Sequence, residues 1–211
     1  MDFLVRLSVK NLVVDRGARR IVDGLSFAIE AGEALVLTGP NGAGKTTVIR
    51  TVAGLIGAAG GTINLDGGDA EKDIAAQAHY IGHLNALKPS LTVEENLRFW
   101  AAYLGGGTAD DAAIDDALVA FDLEPLASIP AGYLSAGQKR RACLARLIVT
   151  RRPLWLLDEP TVSLDTASVK LLAECVRQHL AGGGLLLAAT HIPLGLVSER
   201  RLEIGVRSAA A

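Results

Sequence analysis

The chain has 211 residues, of which half are hydrophobic, and its formal net charge at pH 7 is −2. This length and apolar content predict one large domain, or one domain with an inserted lobe, around a substantial core. The charge gives no general basic field of the kind that nucleic-acid binders carry, and no apolar run reaches the roughly 18 residues that a membrane-spanning helix requires.

The first third of the chain predicts strands that alternate with turns. A turn is expected at residues 15–19, and a helix from residue 45 to about residue 55 ends at a glycine-rich break. The strand segments are either alternating or continuously apolar, and the continuous kind is typical of a buried parallel sheet. Strands are predicted at residues 3–9, 25–29, 35–38, 62–65 and 79–83.

A phosphate-binding loop is predicted between the strand at 35–38 and the following helix. Residues 39–47 fit the pattern G-x-x-x-x-G-K-[ST] in the strand-to-helix context that it requires. Its glycines let backbone N–H groups surround phosphate oxygens where a Cβ would obstruct them, while Lys45 supplies a point charge and the Thr46 hydroxyl can bind Mg²⁺. The alternative is a glycine-rich turn before a helix. The predicted nucleotide-binding residues of the loop are Gly39, Pro40, Asn41, Gly42, Ala43, Gly44, Lys45, Thr46 and Thr47.

The character of the sequence changes after residue 83, where helical patterns replace strands. Thr92 and Glu95 form a capping box that opens a helix to about residue 103, and a second amphipathic helix is expected at 110–121. A third helix is predicted at 139–150. We therefore predict a single domain over residues 1–211. Its nucleotide-binding core comprises residues 1–83 and 153–211, and residues 84–152 form an inserted helical lobe.

A pair of carboxylates follows the apolar strand predicted at 154–157. Open α/β sheets bind ligands at the carboxyl ends of their strands, and neighbouring side chains on a strand point to opposite faces. Asp158 is therefore predicted to orient Mg²⁺ through its water shell. Glu159 is predicted to position or deprotonate a water for in-line attack on the γ-phosphate. The alternative is a solvated acidic turn.

The end of the chain continues the alternation of helix and strand. A helix is predicted at 166–180, a strand at 185–189 and a final strand at about 202–206. The two cysteines, Cys143 and Cys175, lie inside apolar helical patterns without metal-ligand spacing, which predicts buried, reduced thiols.

The order of the motifs resembles the ATP-binding subunits of ABC transporters. It comprises a phosphate loop, a helical insert, Leu-Ser-Ala-Gly-Gln at 134–138, the strand with Asp158 and Glu159, Ser-Leu-Asp at 163–165 and Thr-His at 190–191. The resemblance covers nearly the whole chain. It implies an α/β fold with a P-loop NTPase (RecA-like) mixed-sheet core and an inserted all-helical lobe. It also implies an ATP hydrolase whose cofactors are ATP and Mg²⁺.

The same resemblance assigns residues outside the phosphate loop. Ser135, Gly137 and Gln138 belong to its signature motif, which closes on the γ-phosphate held by a second copy and so implies a head-to-tail dimer. Residues 163–165 correspond to the loop that joins the two sites, and His191 to a switch residue near the γ-phosphate. The signature motif of the second copy is needed for a physical reason: a lone phosphate loop leaves the γ-phosphate open to solvent.

Two positions depart from the family pattern. Arg16 stands near the place of an aromatic residue that stacks on adenine in many relatives, and its guanidinium plane can stack instead. His83 lies in the loop that normally holds a Gln contacting Mg²⁺ and the attacking water. A neutral imidazole can accept a hydrogen bond or approach a metal, so His83 is a candidate catalytic residue. The alternative is a solvated loop histidine.

More specific marks resemble one group within the family, the haem-exporter ATPases of cytochrome c maturation. These sequence features are His83 in its loop, the sequence of residues 87–97, Ala136 in the signature motif and the sequence of residues 153–160. The resemblance implies a peripheral subunit on the cytoplasmic face of a bacterial inner membrane, paired with integral membrane proteins of the CcmB and CcmC type. ATP hydrolysis there is coupled to haem export or to release of a haem-loaded chaperone.

The membrane partner is expected to contact the helical lobe. Leu84, Leu87, Trp100 and Tyr103 can supply an apolar docking surface, although Trp100 can equally belong to the core of the lobe. Direct haem binding and nucleic-acid binding are not expected, since the chain has no Cys-x-x-Cys-His and stronger placements are available for its histidines. As loop, surface or nucleotide residues we place His79, His83, His179 and His191.

Three competing functions are compatible with a chain that carries these motifs. The first is the ATPase subunit of another exporter, for a small substrate or a lipid. The second is a soluble ABC-type ATPase acting on DNA or ribosomes, which usually needs a long coiled-coil insertion or two fused units that 211 residues do not accommodate. The third is a non-hydrolysing nucleotide sensor, against which Glu159 argues.

Overall fold

The structure is a computed structural model that describes residues 3–105, 107, 109–196 and 198–205. The strands are β1 (Arg6–Arg16), β2 (Arg19–Ile29), β3 (Ala34–Thr38), β4 (Gly60–Asp66), β5 (Ala78–Ile81), β6 (Leu154–Asp158), β7 (Leu185–Ala189) and β8 (Arg200–Glu203). The α-helices are α1 (Lys45–Val52), α2 (Val93–Gly105), α3 (Asp111–Ala120), α4 (Ala136–Ala145) and α5 (Thr166–Ala181). The predicted last strand is displaced toward the N-terminus, and its predicted end at Val206 lies outside the described residues.

The described strands form two sheets. An antiparallel sheet has the order β2-β1-β4, and a parallel sheet has the order β5-β6-β7-β3-β8. The parallel neighbours β6, β7 and β3 are five-residue apolar strands, and every residue of β6 and β7 is buried. Because their carboxyl ends meet at one edge of the sheet, the segments after them are brought together. These segments are the phosphate loop after β3, Glu159 after β6 and His191 after β7.

The parallel sheet separates two hydrophobic cores. Along β6, Trp155 and Leu157 pack into the core shared with the helical lobe, while Leu154 and Leu156 pack into the core beneath the antiparallel sheet and α1. This alternation continues to Asp158, which therefore ends the strand on the side of α1. The sheet thus directs the Asp158 carboxylate toward the phosphate loop.

The hairpin of β1 and β2 is longer than the sequence predicts. The strands pair up to Arg16 opposite Arg19, so the turn contains only residues 17 and 18 instead of all of 15–19. The register of β1 shifts between Val9 and Leu12, where Asn11 has a positive φ of 49°. Such a bulge interrupts the period of two that identifies a strand in sequence, which explains the underestimate. The extended hairpin carries Arg16 at its tip.

Side-chain caps lie at the N-termini of the α-helices in the helical lobe. The Thr92 backbone N donates to Glu95 Oε2 at 2.8 Å and the Glu95 N donates to Thr92 Oγ1 at 3.1 Å, which confirms the predicted capping box. Asp110 caps α3 through the Ala112 N at 3.1 Å. The third helix was predicted at 139–150, but α4 spans Ala136–Ala145. A second capping box starts this helix earlier, and turns replace its predicted last residues.

Both cysteines are buried, as predicted. Burial raises the pKa of the Cys143 thiol and raises that of Cys175 to about 11. The thiols are therefore protonated at neutral pH and weakly nucleophilic.

Two histidines expected in loop or surface positions are instead packed beside Trp155. His79 is only 2% exposed, and its Nε2 lies 2.7 Å from the Thr150 carbonyl oxygen. The His179 ring stacks on Trp155 with ring centroids 4.0 Å apart. Sequence alone did not reveal this, because His79 lies on β5 and His179 on α5, and only packing brings both to Trp155.

We expect the free energy of unfolding to fall on acidification because of these two side chains. Burial lowers the pKa of His79 to about 3 and that of His179 to about 4, and nearby Arg152 and Arg146 also lower the former. Below pH 6.5 the unfolded chain binds protons that the folded chain excludes, so stability is lost as the pH falls from 6.5 toward 4. At about 1.4 kcal/mol per pKa unit, each histidine contributes a loss of about 2 kcal/mol between pH 7.5 and pH 5.

Urea unfolding at both pH values measures this loss. The variant His179→Phe keeps an aromatic ring against Trp155, and it should show about half of the histidine-dependent decrease. An equal decrease in the variant and the wild type would contradict the assignment to His179.

Candidate active site

The phosphate loop contains three glycines with positive φ. A Cβ on Gly39, whose φ is 126°, would lie 2.3 Å from the Ile204 carbonyl oxygen next to β8. At Gly42 a Cβ would meet no protein atom within 4 Å, so protein packing does not require glycine at this position. The requirement there is the φ of 80°, which other residues rarely adopt.

Lys45 begins α1 and folds back over the loop. Its Nζ donates to the carbonyl oxygens of Gly39 at 2.7 Å and Pro40 at 3.0 Å, and the residue is 8% exposed. No acidic residue occupies the first turn of α1, and Gly44 provides no side-chain cap. The free N–H groups of the helix start and the Lys45 ammonium therefore combine into a positive site that suits a polyphosphate.

Two predicted metal residues from distant parts of the chain meet beside the loop. The Thr46 Oγ1 donates to Asp158 Oδ1 at 2.9 Å, and Asp158 is only 4% exposed at the end of β6. A hydroxyl and a carboxylate oxygen are the hard ligands that Mg²⁺ prefers, and Mg²⁺ commonly uses phosphate oxygens and water for its remaining positions. The residues present therefore fit this ion.

Glu159 links the ends of three strands. Its own N donates to the Ala189 carbonyl oxygen at 2.8 Å, and its Oε2 accepts from the His191 N at 3.4 Å. The His191 Nε2 lies 3.5 Å from the other Glu159 oxygen and 3.1 Å from Asn41 Oδ1 in the phosphate loop. The φ of Glu159 is 50°, a costly conformation of the kind that is common at functional sites.

A cavity of about 320 Å³ collects most of the predicted site residues. It is smaller than several other cavities of the described residues, but it is the place where the phosphate loop, Glu159 and His191 converge. Arg16 reaches it from the hairpin tip, as a base-stacking role requires. The predicted residues that line it are Arg16, Asn41, Gly42, Gly44, Lys45, Thr46, Thr47, Glu159 and His191.

Comparison with known proteins decides the family. The sequence model described as ABC transporter matches residues 22–162, more than half of the chain.

The chain belongs to the ABC transporter family.

Curated relatives and solved structures agree with this membership. The protein named cytochrome c biogenesis ATP-binding export protein CcmA from Nitrobacter winogradskyi is 52% identical over 95% of this chain and 98% of its own length. The protein of that name from Bradyrhizobium diazoefficiens is 50% identical over the same shares. A solved ATP-binding subunit of an ABC transporter superposes with a TM-score of 0.76 at 30% identity, covering 88% of this chain and 79% of that one. The predicted fold class is confirmed, and the chain is an ABC-type ATPase homologous to CcmA.

The residues predicted to form the signature motif lie apart from the cavity of the phosphate loop. Ser135 caps α4, its Oγ accepting from the Gln138 N at 3.2 Å, while Gln138 Oε1 accepts from the Ser135 N at 2.8 Å. Neither they nor Gly137 line the cavity of the phosphate loop. A Cβ on Gly137 would lie 3.0 Å from the Ser163 carbonyl oxygen, so the start of α4 packs closely on residues 163–165.

The structure does not bring His83 to the phosphate loop. The residue is exposed and lines a different cavity, of about 630 Å³, between the core and the helical lobe. Its role in catalysis stays a prediction.

Arg140 is a buried residue at this site that the sequence did not single out. It lies 3% exposed and contacts the backbone of Glu159. In the sequence it is one of three adjacent basic residues, which suggests a solvated helix face. Helical spacing was the missed signal, because Arg140 shares a face with Cys143 and Leu144, both fully buried.

Proposed function

We propose that this ABC ATPase hydrolyses Mg·ATP between two copies of itself and supplies the energy for cytochrome c maturation. The coupled step is haem export or the release of a haem-loaded chaperone. The observation that carries the proposal is identity of about half over nearly the full length with proteins named CcmA. In the host, a Lys45→Ala strain tests it by its content of c-type cytochromes.

In this proposal each residue around the cavity has a task that its contacts support. Lys45 and the start of α1 would hold the phosphates, while Thr46 and Asp158 would hold the metal. Mg²⁺ supplies charge neutralisation on the β and γ phosphates when it is bound. Glu159 accepts a proton from the attacking water, and its partly exposed carboxylate leaves room for that water. His191 holds the Glu159 carboxylate against Asn41 of the loop.

A second copy completes the site in this proposal. Ser135 is exposed and lies outside the cavity that holds the nucleotide, so its own subunit does not use it there. The N-terminus of α4 offers free N–H groups and the Ser135 hydroxyl to an anion. A head-to-tail arrangement of two copies places each α4 over the triphosphate of the other.

The membrane partner is proposed to dock in the 630 Å³ cavity between the lobes. Trp100 is half-buried and belongs partly to the lobe core, whereas Tyr103 and Leu84 are 71% and 80% exposed at the cavity. Arg50 and Arg146 also line it, and its described lining includes no carboxylate. A helix of an integral membrane subunit with apolar residues and an acidic side chain complements this surface. None of the helices in the described part of the chain is itself long and apolar enough to cross a bilayer.

Tyr103→Asp is expected to reduce recovery of the chain with a co-expressed CcmB-type membrane subunit by about 10-fold or more, because it places a charge in an apolar contact. ATP turnover of the isolated chain should not change. The matched control is Val119→Asp, since Val119 is an exposed apolar residue of α3 that does not line the cavity. Equal recovery of Tyr103→Asp and the wild type would exclude this docking surface. In this proposal the subunit lies at the cytoplasmic face of the bacterial inner membrane.

A further inference from the structure

Arg140 connects the helical lobe to two loops of the nucleotide-binding core. It lies on α4, and its Nη2 donates to the Glu159 carbonyl oxygen at 2.7 Å, while its Nε donates to that of Pro160 at 3.0 Å. Its Nη1 donates to the Gly82 carbonyl oxygen at 2.9 Å and to Asn85 Oδ1 at 3.3 Å. One guanidinium thus joins the segment after β6 to the loop that contains His83.

The burial of Arg140 carries a desolvation cost, because it removes a charged guanidinium from water. The residue is 3% exposed, and burial lowers the pKa of its guanidinium. Within the described residues no carboxylate forms a salt bridge with it; its hydrogen bonds go mainly to carbonyl and amide oxygens, and the Asp158 carboxylate and the Cys143 side chain offset part of the cost of burial. A buried charge costs desolvation free energy that its contacts must offset, so the burial of an arginine is weak evidence for a role in fold stability alone.

The bond to Glu159 acts on a strained backbone. Glu159 has a φ of 50°, and its peptide groups are held on both sides, its N–H by Ala189 and its carbonyl by Arg140. A left-handed conformation of a non-glycine residue persists only when its surroundings determine it. The two bonds together fix the direction in which the Glu159 carboxylate leaves the backbone toward His191.

Arg140 also lies close to the surface that meets the second copy in the proposed dimer. It is five residues after Ser135, in the second turn of the same helix. Because a helix of ten residues moves as a rigid unit, a displacement of Ser135 by the opposite nucleotide displaces Arg140 with it. The displacement then reaches Glu159 through a hydrogen bond of 2.7 Å.

We infer that Arg140 is a positioning residue that holds Glu159 in its catalytic orientation and makes that orientation depend on the position of α4. The inference rests on the proposed role of Glu159 as the base. Arg140 touches neither nucleotide nor the attacking water, since it acts through the backbone of Glu159 and does not line the nucleotide cavity.

Steady-state ATP hydrolysis by Arg140→Met and Arg140→Lys tests this inference. Arg140→Met is expected to lower kcat by about 10-fold or more, from the loss of charged hydrogen bonds, with the KM for ATP within about threefold of wild type. Arg140→Lys should recover part of kcat, because an ammonium keeps the charge but does not span four acceptors in one plane. The control is Arg141→Met, whose guanidinium donates to the carbonyl oxygens of Phe121 and Asp122 within the helical lobe. This control should keep its kcat within about twofold.

A double variant separates positioning from a general loss of structure. If Arg140 acts through Glu159, Arg140→Met combined with Glu159→Gln should hydrolyse ATP at about the rate of Glu159→Gln alone. A multiplicative decrease would overturn the inference, as would a wild-type kcat in Arg140→Met. Should Arg140→Met fail to fold, Arg140→Lys carries the test: a reduced kcat at unchanged KM supports the inference, and a wild-type kcat overturns it. A normal turnover of Glu159→Gln would instead remove the proposed role of Glu159 itself.

Discussion

Replacing Glu159 with glutamine is expected to lower the turnover of ATP by about 10²–10⁴-fold, because the amide no longer accepts the proton of the attacking water. The amide has the same shape and still accepts a hydrogen bond from the His191 N, so ATP binding should persist. Steady-state hydrolysis and equilibrium binding of ATP measure the two effects separately. Glu174→Gln is the matched control, since Glu174 pairs with Arg177 on the surface of α5 and should keep wild-type turnover.

The same variant tests the shared site. With Mg·ATP, which it binds without cleaving, Glu159→Gln is expected to sediment as a dimer, and with ADP as a monomer. The physical reason is that Ser135 and Gly137 satisfy the γ-phosphate only across two copies in the proposal. A variant that stays monomeric with Mg·ATP, together with a wild-type turnover that is unchanged on dilution, would contradict the dimer.

Replacing Lys45 with alanine in the host is expected to abolish c-type cytochromes, to the level of a strain without the gene. The Lys45 ammonium is the one side-chain charge bound to the backbone of the phosphate loop among the described contacts, and its removal weakens every step that needs the triphosphate. Haem staining of membrane proteins after electrophoresis gives the measurement. Lys170→Ala removes the same charge from an exposed position on α5 and should leave the cytochromes at normal levels.

The outcome separates the two levels of the proposal. Normal haem attachment in the Lys45→Ala strain would remove the role in cytochrome c maturation, while the ABC ATPase assignment would stand on its family membership. Loss of the cytochromes in both strains would point to a general effect of the substitutions.

The order of the motifs in the sequence, through its resemblance to a known family, was sufficient for the fold class, and local signals predicted most of the residues that the structure brings to the cavity. Residues 39–47 predict a phosphate loop from sequence alone, because the glycines, Lys45 and the start of a helix are contiguous in the chain. An apolar run followed by two carboxylates predicted the strand at 154–157, which the structure extends to Asp158, and the capping box of Thr92 and Glu95 marked the start of α2.

Other features depend on contacts between residues far apart in the chain, so only the tertiary structure decided them. Thr46 and Asp158 meet across 112 positions because β3 and β6 lie on either side of β7 in one parallel sheet. The burial of His79 and of Arg140 follows from elements that pack over them, whereas a hydrophobicity pattern assigns both to polar surroundings. Sequence determines which groups are available and how short segments fold, and packing determines which groups share a site and at what cost in desolvation.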